Sequence, residues 1–293
     1  MPDKATYDEP ATVRPRPDVS FAETSYGIVK RLRTVEAWTE AVAQRLGLPS
    51  LSILDYGCGT GDHLTYPLAC RGHRVLGVDF HAASIEEASR RYRLPNLSFR
   101  MSEIGELAKE PRQFDLVVCS EVLEHLHDPP KFLHTICGML RPGGGLIITT
   151  PNGYGSFEWL TSLQQALDRS GVHGWCRRLV HRCLKPKAGQ GPAHTPAGGD
   201  PAVPYAGFLN MDSTHVQFFR VARLEAIFAD SGFRIRERRA RTLFCGPYAD
   251  VFFRLGPCEQ WLCRANNRLA DALPFAWAAD WMFLLERREA SAM

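Results

Sequence analysis

Glycines at 57, 59 and 61 follow directly on the apolar run Leu51-Ser52-Ile53-Leu54-Asp55-Tyr56 and leave a turn, Gly57-Cys58-Gly59-Thr60-Gly61, almost bare of side chains. Backbone amides in such a turn can approach a bound molecule closely and take positive φ without strain. The next apolar run, Arg74-Val75-Leu76-Gly77-Val78, ends on Asp79 and Phe80, and an acid there can accept hydrogen bonds from both hydroxyls of a ribose. Strand, bare turn, helix, strand and acid describe a site for a nucleoside-bearing cofactor. The G-x-G-x-G spacing departs from the G-x-G-x-x-G of dinucleotide sites and, having no lysine, from the phosphate loop. A second group is Glu121-Val122-Leu123-Glu124-His125. If Glu121 closes a strand and a helical turn follows, Glu121, Glu124 and His125 stand at i, i+3 and i+4 and share a face. Two carboxylates and an imidazole suit a divalent cation, with oxygen ligands favouring Mg²⁺ or Mn²⁺ and the imidazole admitting Zn²⁺.

The elements that must hold these groups follow from periodicity. Phe21 to Leu46 reads as an amphipathic helix with Val29, Leu32, Val35, Val42 and Leu46 on one stripe, lying over the cofactor. Strands are expected at Val75 to Asp79, Leu97 to Met101, Phe114 to Cys119 and Leu146 to Thr150, with helices at Ser84 to Tyr92 and Pro129 to Leu140. After Thr150-Pro151-Asn152 the alternation stops, and a long insertion precedes a helix at Val221 to Ser231. The ending reads strand (Arg234 to Arg241), helix (Val251 to Ala272), strand (Ala279 to Glu286). With 293 residues, 45% of them hydrophobic, the chain can bury one sizeable α/β core with a cap. The expected organisation is a mobile tail over 1–20, a lid helix over 21–50, a cofactor core over 51–152, a cap over 153–213 with a flexible loop at 185–204, and the end of the sheet over 214–288. Nine scattered cysteines favour a reducing, cytoplasmic compartment over a disulfide framework. The polar, proline-rich start lacks a signal peptide's apolar stretch. Leu273 to Leu285, interrupted by Asp280, is shorter than the ~20 residues that span a bilayer.

Asp55-Tyr56-Gly57-Cys58-Gly59-Thr60-Gly61 resembles the first motif of class I S-adenosylmethionine-dependent methyltransferases. Further stations agree in order: Ser102-Glu103-Ile104 where that family contacts adenine, Gln113 to Glu121 as the fourth strand beside the methyl donor, and Arg141-Pro142-Gly143-Gly144 before the fifth. The resemblance implies a Rossmann-like, seven-stranded, mostly parallel, doubly wound sheet with a helical and loop cap. It further implies S-adenosylmethionine held by Asp55, Gly57, Cys58, Gly59, Gly61, Asp79, Phe80, Ser102, Glu103, Ser120 and Glu121. Glu-x-x-Glu-His is similar to the metal motif of ubiquinone-pathway O-methyltransferases and small-RNA terminal-ribose methyltransferases. Ser213-Thr214-His215 resembles a segment of the same proteins, which makes His215 a fourth ligand beside Glu121, Glu124 and His125, or a general base. Without a metal, the same turn in this broad class has its acid capping the helix and its histidine against the cofactor.

Methyl transfer from a sulfonium is a displacement that rests on alignment and exclusion of water, with a base needed only to take the acceptor's proton. His215 or His125 would serve a hydroxyl acceptor, so O-methylation leads. Aromatic residues of the insertion, among them Phe157, Trp159, Trp175, Tyr205 and Phe208, suit an apolar small molecule or line the cap's own core. Arginines at 177–182 and 234–241, together with Leu273-Pro274-Phe275-Ala276-Trp277, suit either solvated faces or peripheral contact with a membrane that presents a lipid-linked acceptor. RNA, through the terminal-ribose resemblance, is the alternative acceptor, without a recognisable RNA-binding module. A nicotinamide-dependent oxidoreductase and a non-catalytic cofactor-binding protein would share the glycine turn and the acid.

Overall fold

The computed structural model describes residues 23–109, 114–161, 215–246, 249, 252, 253 and 258–288. The expected tail over 1–20, the loop at 185–204 and the basic run at 177–187 lie outside them. In chain order the elements are α1 (Ile28–Leu46), β1 (Ser52–Tyr56), α2 (Thr65–Cys70), β2 (Arg74–Asp79), α3 (Ala82–Arg91), β3 (Leu97–Met101), α4 (Ile104–Leu107) and β4 (Phe114–Ser120). A 3₁₀ turn (Leu123–His125), α5 (Pro129–Met139) and β5 (Leu140–Pro151) follow, and another helix begins at residues 156–161. After the insertion come α6 (Val221–Asp230), β6 (Phe233–Ala240), α7 (Glu259–Ala272), a 3₁₀ turn (Phe275–Trp277) and β7 (Asp280–Arg287).

The seven strands form one sheet in the order β3-β2-β1-β4-β5-β7-β6. β1 to β5 run parallel, and β7 is antiparallel to both its neighbours. Side chains alternate across the central strands and feed two cores. Leu54, Val117, Cys119 and Ile148 pack towards α5 and α6, while Ile53, Leu116, Val118 and Ile147 pack towards Val35, Trp38 and Val42 of α1. Near-continuous apolar runs such as Leu116-Val117-Val118-Cys119 are what a strand covered on both faces requires. The order of the sheet reverses between β1 and β4, and the opening outside the carboxyl ends of strands at such a switch point is where an α/β sheet binds its ligand.

Several boundaries differ from expectation, each for a local reason. α1 starts at Ile28 because Gly27, at φ 63°, turns the chain just before it. β5 extends back to Leu140, because the Arg141-Pro142-Gly143-Gly144 stretch expected as a turn continues the strand through a bulge against β4. Within the arginine-rich β6, Arg234 and Arg236 bond Glu286, Arg238 bonds Glu225 and Arg239 bonds Glu237. The run from 234 to 241 is therefore a ladder of ion pairs with its charges locally matched. No helix among the described residues is long and apolar enough to cross a membrane.

Candidate active site

The bare turn after β1 folds back onto β2: Gly57 N and Cys58 N both donate to Val78 O, at 2.7 and 3.0 Å. Asp79 closes the arrangement from the end of β2, its carboxylate accepting from Gly59 N at 2.9 Å and from His81 N at 2.9 Å. Two glycines show opposite constraints. A Cβ on Gly57 (φ 80°) would lie 2.4 Å from Val122 Cγ2, whereas a Cβ on Gly59 (φ 53°) would meet nothing within 4 Å. Gly57 is required by the fold, and Gly59 faces open space at the switch point. Phe80 and Met101, at the ends of β2 and β3, are large apolar side chains left in solvent, and Ser102 N is tied to Asp79 O at 3.2 Å. Asp55, Gly57, Cys58, Gly59, Gly61, Asp79, Phe80, Ser102 and Glu103 thus stand at the carboxyl ends of β1, β2 and β3. Asp55 is buried, its Oδ2 accepting from Thr65 Oγ1 at 2.6 Å. Burial raises its pKa against the pull of Thr65 and Arg31, to about 6.

At the end of β4 a hydrogen-bonded chain crosses the sheet. Arg31 of α1 donates to Ser120 Oγ (3.1 Å), Ser120 and Thr149 share a hydrogen bond (2.8 Å), and Thr149 Oγ1 donates to Glu121 Oε1 (2.5 Å). Glu121 has a left-handed backbone, φ 58°. Its carboxylate is gripped by Arg241 (2.8 and 3.3 Å), which also pairs with Asp280 at 2.9 Å. Burial alone would raise the pKa of Glu121, but Arg241 and Arg31 outweigh it and hold the group well below the usual carboxylate range. The expectation that Glu121 shares a face with Glu124 and His125 is corrected here. Its positive φ breaks the helical spacing, and its charge is committed to Arg241.

Glu124, His125 and His215 do come together, with one ligand atom from each lying within 4.8 Å of the others. The 3₁₀ turn supplies the first two. His215 is brought up because Val216 N and Gln217 N both donate to Glu124 O, at 2.9 and 3.0 Å. The rings of His125 and His215 lie 5.0 Å apart, and Phe157 lies 5.7 Å from His215. Glu124 is buried with Thr150 Oγ1 at 3.1 Å. Burial, then the charge of Glu121, pushes its pKa well up. His215 Nδ1 meets Glu158 Oε1 at 2.6 Å, a carboxylate contact that orients the imidazole.

Three participants were not singled out from the sequence. Arg31 stands on the stripe 31-35-38-42 of α1, and a cation inside an apolar stripe was the available signal. Glu158 and Arg241 had none, since their partners are 57 and 120 positions away.

A doubly wound sheet with a reversed last strand and a bare turn at its switch point is the architecture of a class I methyltransferase. A family model described as a methyltransferase domain matches residues 29–238. The ubiquinone biosynthesis O-methyltransferase of Coxiella burnetii is 33% identical over 113 residues, covering 38% of this chain and 48% of that protein. The protein of the same name from Xanthomonas campestris is 36% identical over 115 residues, covering 38% and 47%. The chain thus spans about half the length of the curated relatives it matches. A solved structure described as a sarcosine dimethylglycine methyltransferase from Galdieria sulphuraria shares the fold, with TM-score 0.50, 12% identity and coverage of 88% of this chain and 84% of that one. The chain belongs to the methyltransferase-domain family, among the class I S-adenosylmethionine-dependent methyltransferases.

Proposed function

We propose that this protein transfers a methyl group from S-adenosylmethionine to a hydroxyl oxygen of a small, apolar acceptor, with His215 as the base that takes the hydroxyl proton. The observation that carries the reading is the His215–Glu158 contact, 2.6 Å, beside the ends of β4 and β5. S-adenosylmethionine supplies an electrophilic methyl group on a sulfonium. The turn from Gly57 to Gly61 would hold its amino-acid end, with Asp55, at the end of β1, and Arg31, bonded to Ser120 at the end of β4, as the charged groups nearest its ammonium and carboxylate. Asp79 would accept from the ribose hydroxyls, Phe80 and Met101 would flank the adenine, and Ser102 and Glu103 would bond its edge. Tyr154, Trp159, Val216 and Phe218, exposed on the two segments that carry Glu158 and His215, offer an apolar surface for the acceptor. The relatives named as ubiquinone biosynthesis O-methyltransferases favour oxygen as the acceptor atom.

A second reading has its own observation, the convergence of Glu124, His125 and His215. Two imidazoles and one carboxylate suit Zn²⁺ or Mn²⁺ better than Mg²⁺. Such an ion, when bound, lowers the pKa of a coordinated hydroxyl.

The test is methyl-donor turnover over phenols with and without isoprenoid tails, with donor affinity measured separately by calorimetry. His215→Ala is expected to lower kcat by roughly 10²- to 10⁴-fold, the usual contribution of a general base, while the donor's Kd stays nearly constant. Glu158→Gln is expected to give a smaller loss and a displaced pH profile. An undiminished kcat in His215→Ala sinks the assignment of the base. Full turnover by a protein shown to be metal-free, with no heat on titration of Zn²⁺ or Mn²⁺, removes the second reading alone.

A further inference from the structure

We infer that Glu121 is a positioning residue whose left-handed backbone joins the glycine turn to the segment carrying His215, and so holds donor and base in register; the inference rests on the donor and base proposed above. Among the described residues, Glu121 is the one non-glycine at positive φ, 58°. A side-chain-bearing residue is strained there, and the conformation persists only where its surroundings enforce it. They do so from two sides. Glu121 N donates to Thr149 O at 2.9 Å, Thr149 Oγ1 donates to the carboxylate at 2.5 Å, and Arg241 donates to both carboxylate oxygens at 2.8 and 3.3 Å. Glycine would make the same turn without strain but would leave it free to relax. A clamped glutamate holds it in one conformation.

That conformation ends β4 early. β4 pairs with β5 as far as Ser120 and Thr149, whereas β5 runs on beside β7 to Pro151 and Asp280. Leaving the sheet at Glu121, the chain sends Val122 back to the glycine turn, where Val122 Cγ2 fills the space that a Cβ on Gly57 would need. Leu123 then enters the core, fully buried, and Glu124 Oε2 accepts from Thr150 Oγ1 at 3.1 Å. Glu124 O accepts from Val216 N and Gln217 N, the bonds that bring up His215. One backbone conformation therefore sets how far the turn that would hold the methyl donor stands from the imidazole that would take the proton. A displacement rests on alignment, and a misplacement of about 1 Å costs on the order of 10²-fold in rate. An enforced glutamate at this point keeps the two ends of the path in register.

The experiment compares Glu121→Ala with Glu121→Gly in the full-length chain. Both lose every contact of the carboxylate, but only the alanine is penalised at positive φ, so the glycine variant keeps the larger fraction of competent backbone. The Kd for S-adenosylmethionine, measured by calorimetry, scales inversely with that fraction. It is expected to rise in both variants and to be about five- to thirtyfold higher for alanine than for glycine, the size of the left-handed penalty. The kcat/KM for the donor is expected to fall in the same order. A glutamate that served stability alone would give the reverse ranking, since glycine loses more chain entropy on folding than alanine. At the other end of the path, the NMR ring signals of His215 are expected to move in Glu121→Ala and to return towards their wild-type positions in Glu121→Gly. Glu121→Asn, which enters the left-handed region more readily than alanine, is expected to fall between them and keeps the order readable should the alanine variant fail to fold. Equal Kd values for alanine and glycine, or His215 signals unmoved in a folded Glu121→Ala, overturn the inference and leave the methyl-transfer reading standing. A wild-type chain that binds no S-adenosylmethionine overturns both together.

Discussion

Asp55 sits at the end of β1 where burial favours the acid form, and its pKa lies at about 6 against an ordinary 3.8. A raised carboxylate pKa means that the folded state holds the proton more tightly than the unfolded one. The stability that this group contributes is therefore present in acid and is lost as pH rises from about 4 through about 6. At pH 7.5 an ionised Asp55 is a charge that folding has to desolvate, offset in part by Thr65 Oγ1 at 2.6 Å. Asp55→Asn keeps an acceptor for Thr65 and deletes the charge. Thermal unfolding at pH 7.5 should show the variant more stable, by on the order of 2 kcal/mol, with the difference vanishing near pH 4. Calorimetry should show weaker donor binding, because the ammonium loses its counter-charge. A destabilised variant at pH 7.5 would mean that the carboxylate is retained for the fold, not for the ligand. Glu121 and Glu124 show the same rule from opposite sides: three positions apart, one is kept ionised by Arg241 and the other is pushed towards the acid form.

The glycine turn is an element whose two ends answer to different demands. Gly57 at φ 80° has Val122 Cγ2 where a Cβ would go, so Gly57→Ala strains both backbone and packing. Gly59 at φ 53° faces open space, and a side chain there costs the fold only the left-handed penalty, roughly 1–2 kcal/mol. Gly59→Leu should therefore remain folded with a modest loss of Tm while donor affinity, measured by calorimetry, collapses. Gly57→Ala should lose markedly more stability. The reverse ranking would show that the open side of the turn is not where the donor lies. This turn, Asp79 and the buried strands were legible in the sequence because their cause is local: a backbone that needs glycine, and apolar runs that need cover on both faces. The Glu121-Glu124-His125 face was misread for a reason that is equally local but invisible in spacing. Periodicity assumes unbroken helical backbone from Glu121 onward, whereas Glu121 takes φ 58° and only Leu123–His125 forms a 3₁₀ turn.

Across the whole molecule, the carboxyl edge of the sheet is tied by one charged chain running from Arg31 on α1 through Ser120, Thr149 and Glu121 to Arg241 and Asp280 at the start of β7. None of it could be read from periodicity, because its members are brought together only when β7 inserts between β5 and β6; Arg241 was one of five arginines with nothing to mark it. Arg241 is buried between the buried carboxylate of Asp280 and the half-buried one of Glu121. Arg241→Met conserves bulk but leaves Glu121 and Asp280 unmatched, a loss of about 3–5 kcal/mol for a broken buried pair. The pH dependence follows from Glu121, whose folded pKa lies below its ordinary 4.5. Its stabilising contribution is present above that value and lost as pH falls through the lower, folded one. The variant lacks this contribution and can relieve itself by taking up protons. Urea unfolding should then show the widest gap between wild type and Arg241→Met at pH 7.5 and a narrower one at pH 5. Adding Glu121→Gln and Asp280→Asn should restore much of the stability at pH 7.5, since neutral amides tolerate the loss of their cation. A gap independent of pH, unrelieved by the triple variant, would mean that Arg241 acts through its packing and that the charges along this edge are incidental to the fold.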